Sequence, residues 1–136
     1  MVKRNRWGSR IIANQSHETL ILASASSARA ALLQGAGLTF EKRPSEVDED
    51  ELKISMKPQG AEAAALALAE LKASHVSQQA PDSLVIGADQ LLDCDGVWLD
   101  KARDIIDAGH QLRLLRGKDH RLATAVCVMQ NETCLW

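Results

Sequence analysis

The chain has 136 residues, 46% of them hydrophobic, and its 16 basic and 18 acidic side chains leave a formal net charge of -2 at pH 7. That length buries one core and not two, and the charge balance removes any global attraction to nucleic acid or an anionic membrane, so a polyanionic ligand needs a local cluster of cations. No apolar run approaches the roughly 20 residues of a membrane span and no signal-peptide core is present, which predicts a soluble, cytoplasmic protein with no nucleic-acid or membrane partner.

Residues 1–19 carry Lys3, Arg4, Arg6 and Arg10 among polar neighbours and read as a mobile basic extension. Residues 20–136 form the domain proper. Leu20 to Ala23 suits a short buried strand, and from Ser27 onward Ala, Arg and Leu supply a helix, so Ser24, Ser26 and Ser27 fall at a strand-to-helix junction. A helix N-terminus presents unpaired N–H groups and the positive end of the peptide dipole, with Arg29 just inside it. The serines are therefore either plain caps or phosphate ligands. Gly35 and Gly37 stop the helix, Leu38 to Lys42 resumes as a strand, and Pro44 to Glu51 reads as an acidic loop. That loop is either a solvated surface or, through Asp48 or its neighbours, a cation site.

Pro58 to Val76 is Ala-rich and predicts a helix with Lys72 in its last turns, where the ammonium either complements the dipole or reaches a site. Leu84 to Ile86 predicts a buried central strand, with Asp89 at its C-terminal end, where a carboxylate can ligate a metal or accept a proton. Asp95-Gly96 is a hairpin signal that folds Val97 to Leu99 back on that strand, and Lys101 follows at once. A helix over Asp104 to Arg116 stops at Gly117, and Arg121 to Met129 is the last predicted strand, followed by a turn at Asn131-Glu132. Cys94, Cys127 and Cys134 are odd in number with no Cys-x-x-Cys pair, which predicts buried free thiols and neither a disulfide framework nor a zinc site. Trp7, Phe40, Trp98 and Trp136 are too few to build a base-stacking platform of the single-strand-binding kind.

Several stretches resemble, in order, the Maf-like family of nucleoside triphosphate pyrophosphatases. Ala23 to Arg29 stands against the family's Ala-Ser-x-Ser-Pro-Arg-Arg, and Ser45 to Glu49 against an acidic Ser-x-Val-Asp-Glu loop. Leu-Ala-x-x-Lys-Ala follows at Leu68 to Ala73, Val-Ile-Gly-Ala-Asp at Val85 to Asp89, Gly-x-x-x-x-Lys at Gly96 to Lys101 and Leu-x-Gly-x-x-His at Leu115 to His120. One such motif is weak; the ordered set over Leu20 to Val128 is specific. The resemblance implies an α/β fold with an elongated mixed central sheet flanked by helices, a cleft between two lobes, and hydrolysis of a nucleoside triphosphate to the monophosphate and pyrophosphate.

It also implies a divalent metal cofactor, Mg²⁺ or Mn²⁺. Carried over by position, Ser24, Ser26, Arg29, Lys72 and Lys101 would bind the substrate phosphates, Asp48 and Asp89 would serve the metal, and Asp89 would be the catalytic proton acceptor. The chain also departs from the family pattern. Ser27 stands for its proline, Ala28 for its first arginine, Gln90 for its threonine and Asp100 for a glycine, so no base preference is carried over. The family pattern continues with further strands beyond Trp136, so the domain is expected to be incomplete at its C-terminus. The alternative function is accordingly a truncated, non-catalytic nucleotide-binding or interaction module, with self-association into a homodimer expected through a sheet edge left uncovered.

Overall fold

A computed structural model of the protein describes residues 18–136. Most of the extension expected over residues 1–19 therefore lies outside the described residues. Six strands form one sheet: β1 Leu20–Leu22, β2 Glu41–Lys42, β3 Leu84–Cys94, β4 Val97–Leu99, β5 Arg121–Gln130 and β6 Thr133–Cys134. The order is β2-β1-β3-β5-β6, with β4 paired to β3; β1 runs parallel to β2 and β3, and the remaining pairs are antiparallel. Four α-helices complete the fold: α1 Ser27–Gly35, α2 Glu49–Met56, α3 Ala61–Gln79 and α4 Ile105–Leu115. This is the mixed-sheet α/β architecture that the sequence predicts.

Helix α3 makes the core. Its buried residues recur as Ala61, Ala64 and Ala65, Leu68 and Ala69, Lys72 and Ala73, Val76 and Ser77, a helical three-and-four spacing that lays one stripe on β3 and β5. Small side chains let the helix approach closely. A Cβ added at Gly87 would overlap the carbonyl oxygen of Ala69 and stand 2.8 Å from Ala73 Cβ, so glycine is what allows strand and helix to meet. Burying Leu68 and Val76 completely contributes about 1.5–3 kcal/mol each. At the far end, Ser77 Oγ accepts the Glu132 N–H at 3.0 Å and Gln78 Nε2 donates to Glu132 Oε1 at 2.8 Å, tying α3 to the β5–β6 turn.

Among the described residues the sheet is covered on that face alone. Along β5, Ala123, Cys127 and Met129 are buried while Leu122, Thr124 and Val126 between them are exposed. None of α1, α2 and α4 has a buried residue. Beyond β6 and the Val128 bonds to Leu135 and Trp136, the outer edge of β5 has no strand neighbour among the described residues.

Several boundaries differ from the sequence expectation. The acidic loop over Pro44 to Glu51 turns into α2 from Glu49: Asp48 caps it by accepting the Asp50 N–H at 3.0 Å, and Glu49, Asp50 and Glu51 occupy a first turn whose dipole favours carboxylates. Of the strand expected over Leu38 to Lys42, only Glu41 and Lys42 pair, with Ile21 and Leu22. Pro58 belongs to a 3₁₀ turn before α3, which starts after Gly60 at φ 92° and runs on to Gln79. β3 does not stop before Asp89, because β5 pairs with it in register from Val85 to Asp93 and carries it past the Gly87-Ala88 pair. Cys94 and Cys127 are buried free thiols as expected, whereas Cys134, on the short β6, is exposed.

Candidate active site

β3 changes partner along one edge. It pairs with β1 through Leu84, Val85 and Ile86, then with β4 through Leu92, Asp93 and Cys94, and among the described residues no strand lies against that edge over Gly87 to Leu91. An open pocket of about 760 Å³ occupies this gap. Gln90 and Leu92 of β3 line it, beside the change of partner at which open α/β sheets bind ligands.

The β1–α1 junction enters from one side. Ser26 is the N-cap of α1, with Oγ accepting the Arg29 N–H at 3.3 Å; Ser24 Oγ accepts the Ser26 N–H at 3.2 Å and a guanidinium N–H of Arg29 at 3.1 Å. The serines therefore do cap. Their hydroxyls, the first N–H groups of α1 and Arg29 nevertheless line one pocket wall, an arrangement suited to phosphate.

From the opposite side α3 sends Lys72. It lies in the buried stripe two turns before the helix end, so the dipole-complementing alternative does not apply. Its Nζ donates to Asp89 Oδ1 at 2.5 Å and pairs with Glu49 Oε1 at 3.0 Å. Asp89 is 6% exposed. Of the acidic loop's candidates, Asp48 or its neighbours, Glu49 is the one that pairs with Lys72 and lines the pocket, while the exposed Asp48 carboxylate caps α2.

Lys101 lines the pocket from the β4–α4 connection. Ser24, Ser26, Arg29, Lys72 and Lys101 thus converge on one concavity, with Gln90 exposed on its wall; Asp89 is held against Lys72, and neither it nor Asp48 is itself among the lining groups. Arg29 and Lys101 have no carboxylate partner among the described residues, while Lys72 has two. Two unmatched cations beside a helix N-terminus favour an anionic guest.

The described residues contain no cluster of three or more His, Cys, Asp or Glu side chains placed to ligate a metal. Asp89 and Glu49 alone are a hard, two-carboxylate donor set, which fits a cation that takes its other ligands from phosphate and water and does not fit one caged by protein.

Lys53, on α2, pairs with Asp100 Oδ1 at 2.8 Å. Burial disfavours its charge, but the hydrogen bond and attraction of Asp100, with Glu49 and Asp50 behind, outweigh that and hold the ammonium above the ordinary lysine range.

The fold is thus a mixed α/β sheet with a cationic, carboxylate-bearing pocket at its change of strand partner. The profile described as Maf-like protein matches residues 19–135, and the chain belongs to that family. It is 51% identical over 119 residues to a nucleoside triphosphate pyrophosphatase of Granulibacter bethesdensis, covering 86% of this chain and 60% of the relative. It is 48% identical over 118 residues to another of that name from Paramagnetospirillum magneticum, covering 85% and 61%. A 7-methyl-GTP pyrophosphatase of Bartonella henselae is 43% identical over 119 residues, covering 88% and 60%. The chain spans about 60% of the length of these relatives. Among the described residues no helix is long and apolar enough to cross a membrane.

Proposed function

We propose that the chain carries the catalytic pocket of a cytoplasmic nucleoside triphosphate pyrophosphatase, which cleaves its substrate to the monophosphate and pyrophosphate. The observation that carries this reading is the meeting of the two unmatched cations, Arg29 and Lys101, with Lys72 and Glu49 around one pocket, Asp89 being joined to it through its bond to Lys72. The names of the relatives support it.

The phosphate chain lies against the N-terminus of α1, with Ser24 and Ser26 hydroxyls and Arg29 on one side and Lys101 on the other. Lys72 orients the carboxylate of Asp89 through Oδ1, leaving Oδ2 to take a proton. A water oxygen bonds to the α-phosphorus as the bridging bond to the β-phosphate breaks; the water proton passes to Asp89 and pyrophosphate leaves. Asp89 and Glu49, with phosphate oxygens, would hold Mg²⁺ or Mn²⁺, which supplies charge neutralisation where negative charge builds on those oxygens.

The test is pyrophosphate release from a panel of nucleoside triphosphates that includes 7-methyl-GTP, with Mg²⁺ or Mn²⁺ and an EDTA control. Metal-dependent release of pyrophosphate with equimolar monophosphate is expected. Nucleotide binding without release would overturn the enzyme reading and favour a non-catalytic binding module; release that survives EDTA would remove the metal from it.

A further inference from the structure

Lys101 is useful to an anion only while it is not already neutralised. Two carboxylates line the pocket with it, Glu49, which is paired with Lys72, and its own chain neighbour Asp100. In the structure Asp100 is engaged elsewhere. Its carboxylate is taken by Lys53 from α2 at 2.8 Å, and its carbonyl accepts Gln111 Nε2 from α4 at 3.0 Å. The connection is fixed at its other end as well, because Asp104 Oδ1 caps α4 by accepting the Asp107 N–H at 2.8 Å and Asp107 Oδ2 accepts the Arg103 N–H at 3.0 Å. Lys101 sits between two anchored ends.

The anchor on α2 is itself braced. α2 is seated by Leu52 and Met56, which pack half-buried against the core under α3, by the Glu49–Lys72 pair at its first turn and by Lys53; just beyond its end, Lys57 Nζ lies 3.9 Å above the Trp98 ring on β4. The Lys53 side chain is only 20% exposed, so it is not a freely waving surface charge.

We propose that Lys53 is a positioning residue of the phosphate site: by holding the Asp100 carboxylate it keeps Lys101 unpaired and the pocket mouth cationic for a polyphosphate. The inference rests on the reading of the pocket as a triphosphate site. It differs from a simple through-space contribution of one more cation, because it makes the effect of Lys53 depend on Asp100.

The experiment measures affinity of the full chain for inorganic tripolyphosphate and for a nucleoside triphosphate by calorimetry, with KM and kcat for the latter. Lys53→Met keeps the aliphatic stem and is expected to weaken both ligands about 5- to 10-fold and to raise KM by the same factor while kcat moves less than about twofold. Lys53→Arg should retain parental affinity. Asp100→Asn in the parent should change affinity less than about twofold, yet in the Lys53→Met background it should recover most of the loss. That non-additivity is the signature of the proposal. Additive effects, with Asp100→Asn tightening both backgrounds alike, would overturn it in favour of a plain charge effect, as would unchanged affinity in Lys53→Met. If the parent binds neither ligand, the triphosphate reading itself fails; if it binds both and only the variants disagree, that reading stands without the Lys53 role.

Discussion

The α3–β3–β5 slab and the rim of α1, α2 and α4 are held by different physics. The slab is a dry contact of alanines, leucine and valine against two long strands, with Gly87 marking its closest approach. The rim has no buried residue on any of its helices and leaves Leu32, Ile54, Ile105 and Leu112 largely exposed; caps and ion pairs place it, joined in α2 by the half-buried Leu52 and Met56. The pocket takes one half from each. Lys72, with Asp89 paired behind it, comes from the slab, where packing fixes a buried charge pair, whereas Arg29, Glu49 and Lys101 come from the rim, where charges stay accessible to a ligand. Rigid groups suit proton transfer, and accessible ones suit capture and release of an anion.

The largest effect should come from breaking the slab. Gly87→Val forces α3 away from β3 and is expected to cost about 2–4 kcal/mol in urea denaturation, while Leu32→Ala on the rim should cost under about 0.5 kcal/mol. Equal effects would erase the distinction.

Within the site, Asp89→Asn keeps size and an acceptor for Lys72 but cannot take a proton. Turnover should fall about 10²- to 10⁴-fold with the fold retained by circular dichroism. Arg29→Met, on the rim, should instead act chiefly on KM. A turnover within threefold of the parent would remove Asp89 from the reaction.

The slab also has a titration signature. Burial pushes the Cys127 thiol up from 9.0 to about 11. A raised thiol pKa means that the folded state keeps a proton the unfolded chain has lost, so its contribution is complete below about pH 9 and declines as pH climbs toward 11. Cys127→Ala should flatten that part of the stability profile. At pH 8 a thiol reagent should label Cys134 promptly and leave Cys94 and Cys127 until unfolding.

The smallest effect belongs to the rim. Asp104→Ala removes the N-cap of α4 and is expected to cost about 1 kcal/mol, read as faster amide exchange in that helix. Global stability should barely move, since α4 has no buried residue through which to transmit the loss.

Much of this was readable in the residues. The strand–serine–helix junction at Leu20 to Arg29, the Asp95-Gly96 hairpin with φ values of 52° and 80°, and the helix over Asp104 to Arg116 depend on local chemistry, namely caps, turn residues and short apolar runs, and each recurs in the structure within a residue or two. The site residues were legible as types in an order. Three matters depended on contacts across the chain. β3 passes through Asp89 only because β5, more than thirty residues later, supplies a partner in register. Lys72 serves the pocket because the alanine stripe turns that side of α3 inward, and the ammonium then meets Asp89 and Glu49 from two other elements. Asp48 and Glu49 are adjacent carboxylates that sequence cannot rank; one is spent on a helix cap and its neighbour reaches Lys72, a choice made by where α2 begins and how it is docked. Local propensity writes the elements, but which charges meet is set by the packing of elements distant in the chain.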